Sequence, residues 1–245
     1  MKKLLSLLLV AAMGLSLVGC GGSDNGSKSE SKSDLEYVKD KGTLVVGVTD
    51  FAPMDYKDES GNWIGFDADM ASAFAESLGV KAEFVEIDWD NKIMELDGKT
   101  IDCVWNGMTL TDEVTSSMAC SDAYCNNAQV VIVPNDKADK YQTVDSIKEL
   151  TFAVEAQADA LMEVAAGTSD AAIIDSLMAA AMVGEGTGYD KLTYTVGLNS
   201  EEYGVGFRKD SDLVAELNKF FADSKADGSM EKCAETYKVQ AALAK

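Results

Sequence analysis

The sequence predicts an α/β fold, because strand-like and helix-like segments alternate along most of its length. Short runs of β-branched and apolar residues, as at 43–48 and 128–133, have the composition of buried strands. Between such runs, apolar residues recur every three to four positions, as Met70, Phe74 and Leu78 do, which is the spacing of a helix with one buried face. This alternation is typical of βαβ units and indicates a largely parallel sheet.

The first half of the chain contains a series of short elements separated by turn residues. Pro53 ends regular structure after the first strand, and Gly79 ends the first long helix. The predicted elements are, in order, a strand at 43–48, a hairpin around the turn at 58–62, a helix from 66 to 78, a strand at 81–87, a short helix capped by Asp90, and strands at 101–105 and 128–133.

The second half repeats the alternation without an internal repeat of fixed period. Its predicted elements are a helix at 144–150, a strand at 151–154, a helix at 157–165, a strand at 171–174, a helix at 176–183, strands at 192–196 and 203–207, and helices from 213 and from 230. Leu213, Leu217, Phe220 and Phe221 form an apolar stripe on the first of these last two helices.

The amino-terminal residues have the layout of a secretory signal. Two lysines precede an apolar run from 4 to 18, which is too short to span a bilayer with margin. Residues 17–20, Leu-Val-Gly-Cys, resemble the lipobox of bacterial lipoproteins, which implies a signal at 1–19 and lipidation of Cys20. The alternative is an ordinary secretory signal. Residues 20–38 are predicted to be a flexible tether, since Gly, Ser, Asp and Lys dominate their beginning.

The composition excludes several classes of function. The chain carries 42 acidic against 21 basic residues, a net charge of −21, which argues against nucleic acid and anionic lipid surfaces as electrostatic partners. It has no histidine, the commonest general base and metal ligand, which argues against His-dependent triads and most zinc chemistry. We therefore expect no catalytic residues, no metal and no cofactor. About 205 residues remain after the tether, enough for one large domain or two small lobes.

The cysteines beyond position 20 show no zinc-like spacing. Cys103 and Cys233 are predicted to fill the core as small apolar side chains. Cys120 and Cys125 either form a disulfide, as an extracytoplasmic location allows, or remain free.

Five short blocks resemble the polar amino-acid binding proteins of ABC importers, bacterial solute-binding protein family 3, over about residues 44–237. The blocks are 47–53 (Gly-Val-Thr-Asp-Phe-Ala-Pro), 65–69 (Gly-Phe-Asp-Ala-Asp), 98–102 (Gly-Lys-Thr-Ile-Asp), 105–113 (Trp-Asn-Gly-Met-Thr-Leu-Thr-Asp-Glu) and 167–175 (Gly-Thr-Ser-Asp-Ala-Ala-Ile-Ile-Asp).

The resemblance implies a two-lobed fold like that of the periplasmic binding proteins, with the ligand between the lobes. Lobe 1 would comprise residues 39–130 and 204–245, including the C-terminal helices, and lobe 2 residues 131–203. Two hinge strands, 129–132 and 204–207, would join them.

The implied function is capture of a small polar ligand, an amino acid, by a monomer that is anchored to the membrane by its lipid and delivers the ligand to a permease with its ATPase. Phe51 would pack on the ligand unless it belongs to the core, and Asp175 would hold the ligand's ammonium unless it merely caps the helix at Ser176. Trp105 either forms the opposing wall or belongs to the core. Asn106, Gly107 and Thr109 would bind the ligand's amino and carboxylate ends, and Met108 completes the implied binding residues.

The chain departs from the family pattern in two places. Val114 stands where the family has an arginine that clamps the ligand's carboxylate, and the chain's single arginine is Arg208. About 20–30 residues that follow position 156 in the family are missing, more than ordinary loop variation, so we expect a shortened second lobe. Two other hypotheses stay open, namely a sensor or interaction lipoprotein that no longer binds free amino acids, and a dehydratase-like enzyme on the same scaffold.

Overall fold

The computed structural model describes residues 32–153 and 157–245. The predicted signal, Cys20 and the tether up to residue 31 lie outside the described residues. The strands are β1 (Thr43–Val48), β2 (Tyr56–Lys57), β3 (Trp63–Ile64), β4 (Lys81–Glu86), β5 (Cys103–Thr109), β6 (Ala119–Cys120), β7 (Cys125–Asn127), β8 (Gln129–Pro134), β9 (Phe152–Ala153), β10 (Ala171–Asp175), β11 (Leu192–Gly197) and β12 (Glu201–Phe207).

The α-helices are α1 (Asp34–Lys41), α2 (Phe66–Ser77), α3 (Lys92–Asp97), α4 (Asp112–Ser117), α5 (Gln157–Ala166), α6 (Ser176–Met182), α7 (Leu213–Asp227) and α8 (Ser229–Thr236). Short 3-10 helices cover Trp89–Asn91, Asn135–Lys140, Val144–Ile147 and Gln240–Ala242. Within the described residues, no helix is both long enough and apolar enough to cross a membrane.

The strands of the described residues form two main sheets and the small hairpin β2–β3. Sheet 1 has the order β4-β1-β5-β12-β6, with β7 also paired to β12, and sheet 2 has the order β11-β8-β10-β9. The chain passes from sheet 1 to sheet 2 at Ala128 and returns at residues 198–200. These two crossings confirm the two-lobed α/β fold, and they fall a few residues before the predicted lobe boundaries.

The prediction of a largely parallel sheet was wrong. β1 is parallel to β4 and β5, but β12 is antiparallel to β5, β6 and β7. In sheet 2, β8 is antiparallel to both β10 and β11. The predicted hinge segments lie within β8 and β12, and each of these strands runs opposite to its neighbours because it enters its sheet directly from the other one.

Helices α2, α7 and α8 cover one face of sheet 1. Their apolar residues pack with Trp105, whose ring centroid lies 5.5 Å from that of Phe221 and 6.3 Å from that of Phe74. The C-terminal helices therefore return to the first sheet, as the resemblance implied. A separate apolar cluster, which includes Val104 and Met108, covers the opposite face.

Sheet 2 is also covered on both faces. One face packs on α5 and α6 through residues such as Ile132, Leu161 and Ile174. The other face packs on Tyr141, which follows the 3-10 segment Asn135–Lys140, and on Ile147. Ile147 lies in the 3-10 segment Val144–Ile147, which takes the place of the regular helix predicted at 144–150. The shortening of the second lobe stays a prediction.

Several local predictions differ from the structure. Helix α1 occupies residues 34–41, so the predicted tether ends earlier than residue 38; Ser33 caps this helix by accepting a hydrogen bond from the Glu36 N–H at 3.2 Å. Asp90 caps no helix; Asp88 instead caps the 3-10 turn before α3. The strand predicted at 101–105 runs from 103 to 109, and α4 was not predicted.

The cysteines of the described residues are free, and the alternative of a disulfide between Cys120 and Cys125 was wrong. Cys120 lies opposite Gly206 and Cys125 opposite Tyr203 on β12. Three residues of strand separate them by about 10 Å, beyond the reach of a disulfide. Cys103 is buried in the core as predicted, and Cys233 packs at its edge.

Arg208 ties α1 to sheet 1. Its Nε donates to both carboxylate oxygens of Asp34 at 3.0 Å, its Nη1 to the Ile101 carbonyl at 2.9 Å, and its Nη2 to Asp102 at 3.3 Å. Asp102 is fully buried and also accepts from Lys41. The arginine that follows β12 is thus part of the structural framework of the first lobe.

Replacing Arg208 should strongly destabilise the protein. Arg208→Met removes the guanidinium that pairs with buried Asp102 and with Asp34, and breaking a buried ion pair of this kind costs about 3–5 kcal/mol. Lys209→Met is the matched control, because Lys209 is exposed and its loss should change stability by no more than about 0.5 kcal/mol. Urea unfolding of the purified proteins measures both. Equal midpoints for the two variants would show that the Arg208 cluster does not stabilise the fold.

Candidate ligand-binding cleft

A cavity of about 470 Å³ is lined by residues from both sheets. Sheet 1 contributes the end of β5 and the loop that follows β1, and sheet 2 contributes the beginning of β8 and the end of β10. The start of β12, directly after the second crossing, completes the wall. The cavity therefore lies where the resemblance implied a ligand between the lobes.

The structure brings most of the predicted site residues together. The ones that line the cavity are Phe51, Asn106, Gly107, Met108, Thr109 and Asp175. Trp105 does not line it. Its ring is fully buried and faces α2 and α7, because successive side chains of β5 point to opposite faces of the sheet. The alternative that Trp105 belongs to the core was therefore the right one.

Asn106 connects β5 to the loop after β1. Its Oδ1 accepts from the Thr49 N–H at 3.1 Å and from the Thr49 hydroxyl, and its Nδ2 donates to the Thr49 carbonyl at 2.9 Å and to Asp55 Oδ2 at 2.7 Å. The donors and acceptors of the side-chain amide are all used within the protein. We call Asn106 and Gly107, near the end of β5, the floor of the cavity, and the hydrogen bonds of Asn106 hold this floor in place.

Gly107 occupies a position that only glycine fits. Its φ of 55° is left-handed, and a Cβ there would lie 2.7 Å from the Phe51 ring and 3.1 Å from the Tyr203 ring. Phe51 packs against the apolar clusters of both sheets. The missing side chain at Gly107 thus lets two aromatic rings close on the backbone at the floor.

Two buried carboxyl groups, which the sequence reasoning missed as a pair, lie behind this floor. Asp67 Oδ2 accepts from the Gly107 N–H and from the Tyr124 hydroxyl, both at 2.7 Å. Burial raises the pKa of Asp67 to about 7, although these hydrogen bonds oppose the shift. Burial, followed by the charge of Asp67, raises the pKa of Asp55 well above its ordinary value. Asp67 lies in one of the quoted blocks, 65–69, and near the start of the helix predicted from 66 to 78.

Asp175 ends β10 and is 7% exposed. Its Oδ1 accepts from Asn127 Nδ2, from Gln129 Nε2 at 2.9 Å and from the Tyr203 hydroxyl at 2.9 Å. Asp175 does occupy the N-cap position of α6, but its side chain makes no capping hydrogen bond. The contacts with Asn127 and Tyr203 tie sheet 2 to strands of sheet 1 at the cavity wall.

Two further residues of the wall were not predicted. Trp89 lies in the 3-10 turn before α3, and the ammonium of Lys92 lies 4.8 Å from its ring centroid. Glu201, at the start of β12, accepts from Thr109 at 3.2 Å and from Asn199 at 2.7 Å. No periodic pattern marks either residue in the sequence, and only the packing of the loops around β5 could identify them.

Val114 lines the cavity from the first turn of α4. It is 7% exposed and belongs to the same apolar cluster as Met108 and Met118. The resemblance implied an arginine at this position. The cavity therefore has an apolar surface where that arginine would have offered a cation.

Comparison with known proteins gives a consistent result. The model of the bacterial extracellular solute-binding proteins, family 3, matches residues 44–240. The arginine-binding extracellular protein ArtP of Bacillus subtilis (strain 168) is 29% identical over 261 residues, which cover 95% of this chain and 96% of ArtP.

Two solved structures are also similar. The ancestral amino acid-binding protein AncCDT-1, described as a precursor of cyclohexadienyl dehydratase, is 31% identical with a TM-score of 0.74, over 84% of this chain and 99% of that one. An ABC uptake transporter substrate binding protein from Streptococcus pneumoniae with bound histidine is 25% identical with a TM-score of 0.73, over 87% and 99%.

The raised pKa of Asp67 predicts a loss of stability with rising pH. The carboxyl stays protonated in the folded protein up to about pH 7 but ionises near pH 4 when unfolded, so the contribution of Asp67 to the free energy of unfolding should fall by about 1.4 kcal/mol per pH unit in between. Asp67→Asn should make this slope shallower, as measured by urea unfolding at pH 4.5 to 7. Asp97→Asn, which removes an exposed negative charge, is the control. An unchanged slope in Asp67→Asn would contradict the assignment.

Proposed function

The chain belongs to the bacterial extracellular solute-binding proteins, family 3, and we propose that it captures an amino acid outside the cytoplasm and delivers it to an ABC importer. The observation that carries this proposal is the cavity between the two sheets, with the buried carboxylate of Asp175 on its wall. A ligand that touches both sheets would favour the closed arrangement of the lobes over the open one. Similar proteins bind arginine and histidine.

Asp175 is proposed to bind the ligand's ammonium group. Its described hydrogen-bond partners, Asn127, Gln129 and Tyr203, are neutral donors that hold the carboxylate in one place. A ligand ammonium would add charge-assisted hydrogen bonds, which are shorter and stronger than neutral ones.

The rings of Phe51 and Trp89 are proposed to contact the rest of the ligand. Both line the cavity and both are only half-buried, so they offer apolar surface to a bound molecule. Asn106 and Gly107 support this surface from behind through their contacts with Thr49 and Asp67.

We propose binding without chemical turnover, although one similar protein is described as a precursor of a dehydratase. The chain has no histidine to act as a general base. The carboxyl groups with raised pKa values, Asp55 and Asp67, lie behind the floor and do not line the cavity. The hypothesis of a sensor lipoprotein that has lost amino-acid binding is tested by the same binding experiment.

We also propose that Cys20 carries a lipid that anchors the protein to the outer face of the cell membrane. Residues 20–33 would then link the lipid to α1, which begins at Asp34. Such a link lets the monomer reach a permease in the same membrane.

Amino-acid binding should depend on Asp175. A thermal-shift screen of the purified protein against the amino acids should give one clear class of ligand, since ligand at 100 times its Kd stabilises by about 2.7 kcal/mol. Asp175→Asn should weaken the binding of that ligand by about 2–5 kcal/mol in calorimetric titration, because the substitution removes the charge at the proposed ammonium site. Asp190→Asn, an exposed change in the same lobe, should leave the affinity unchanged. A cooperative melt that no amino acid shifts would refute the proposed function and favour the sensor hypothesis.

Membrane attachment should depend on Cys20. Cys20→Ala should move the protein from the membrane fraction to the soluble fraction and abolish incorporation of labelled palmitate, because the acceptor thiol is gone. Cys233→Ala serves as the control and should remain attached. Continued labelling of Cys20→Ala would refute the anchor.

A further inference from the structure

The charged residues that line the cavity are unbalanced. Asp50, Glu113, Asp175 and Glu201 contribute carboxylates, whereas Lys92 contributes the one ammonium among the described lining residues. The Lys92 ammonium donates to the Trp89 carbonyl at 3.1 Å and lies over the Trp89 ring, so it is held against the turn that carries it. A ligand of no net charge would leave this imbalance as it is.

Among these four carboxylates, that of Glu201 is half-buried, and its described contacts are all with neutral donors. It accepts from the Thr109 hydroxyl at 3.2 Å, from Asn127 Nδ2 at 3.1 Å and from Asn199 Nδ2 at 2.7 Å. Among residues 32–153 and 157–245, no lysine or arginine lies within 4.0 Å of it. These contacts fix the position of the Glu201 carboxylate and leave its negative charge uncompensated.

Glu201 also lies beside Asp175. The same Asn127 amide nitrogen donates to Asp175 Oδ1 and to Glu201 Oε2, so the two carboxylates face one region of the cavity. Like charges at short range are unfavourable unless a cation joins them. The single ammonium of a neutral amino acid supplies one positive charge for two carboxylates.

We propose that Glu201 determines the specificity of the cleft, and that it selects amino acids whose side chain carries a positive charge, such as a guanidinium or an ammonium. This inference rests on the proposed function, in which Asp175 binds the α-ammonium. The side-chain cation supplies the second positive charge, which Glu201 attracts as the lobes close and exclude water.

The test compares L-arginine with L-citrulline, which has nearly the same shape but a neutral side chain. Calorimetric titration of the purified wild type should show arginine bound at least about tenfold more tightly than citrulline. Glu201→Gln should weaken the affinity for arginine by about tenfold or more and change the affinity for citrulline by less than about threefold. Glu201→Asp keeps the charge and should keep the preference for arginine.

Glu202→Gln is the matched control, because Glu202 is the next residue along β12, is exposed and does not line the cavity. It removes the same charge and should leave both affinities unchanged. The inference would be overturned if Glu201→Gln weakened the affinities for arginine and citrulline equally. It would also be overturned if Glu202→Gln weakened the affinity for arginine as much as Glu201→Gln does.

Binding measurements on the wild type alone also test the inference, even if Glu201→Gln does not fold. Binding of citrulline as tightly as arginine, or binding of amino acids with neutral side chains in preference to arginine and lysine, would overturn the role of Glu201 while the proposed function stands. Absence of binding to every amino acid would overturn the proposed function, and this inference with it.

Discussion

The cleft depends on the hydrogen bond between the buried carboxyl of Asp67 and the backbone N–H of Gly107. This bond joins the first turn of α2 to the end of β5 and holds Gly107 in its left-handed conformation. A parallel bond from Asn106 to Asp55 joins β5 to the loop after β1. Burying two carboxyl groups disfavours their charged forms, and burial accordingly raises the pKa of both Asp55 and Asp67. The floor is therefore rigid at a cost in stability, which is a common property of binding sites.

The wall of the cleft is built differently from its floor. Asn127 and Tyr203 belong to sheet 1, and both donate to Asp175 of sheet 2. These contacts lie beside the two points at which the chain changes sheets, so a cation at the wall would act where the lobes meet. A rigid floor in one lobe and a polar wall that spans both lobes is an arrangement in which binding a ligand can bias closure.

Long amphipathic segments were predictable from the sequence, and short polar ones were not. The spacing of Met70, Phe74 and Leu78 and the glycine after them identified α2, since its apolar face is buried whatever the details of its partners. Helix α1 has eight residues and buries only Val38 fully, with Leu35 and Tyr37 packed beside it, which is too short a pattern for a periodic signal. The contact between Asp34 and Arg208 also holds this helix. The two- and three-residue strands β6 and β7 carry too few residues for a periodic signal.

The sequence by itself determined the α/β class, and its blocks determined the family and the segments that form the cleft. Tertiary structure decided which side chains face the cavity. Alternation along β5 shows that Trp105 and Asn106 point to opposite faces, but only the packing of α7 makes the Trp105 side the core. Glu201 and Trp89 became part of the wall because loops distant in sequence meet there. Periodicity records which residues share a face, whereas the position of that face depends on elements far along the chain.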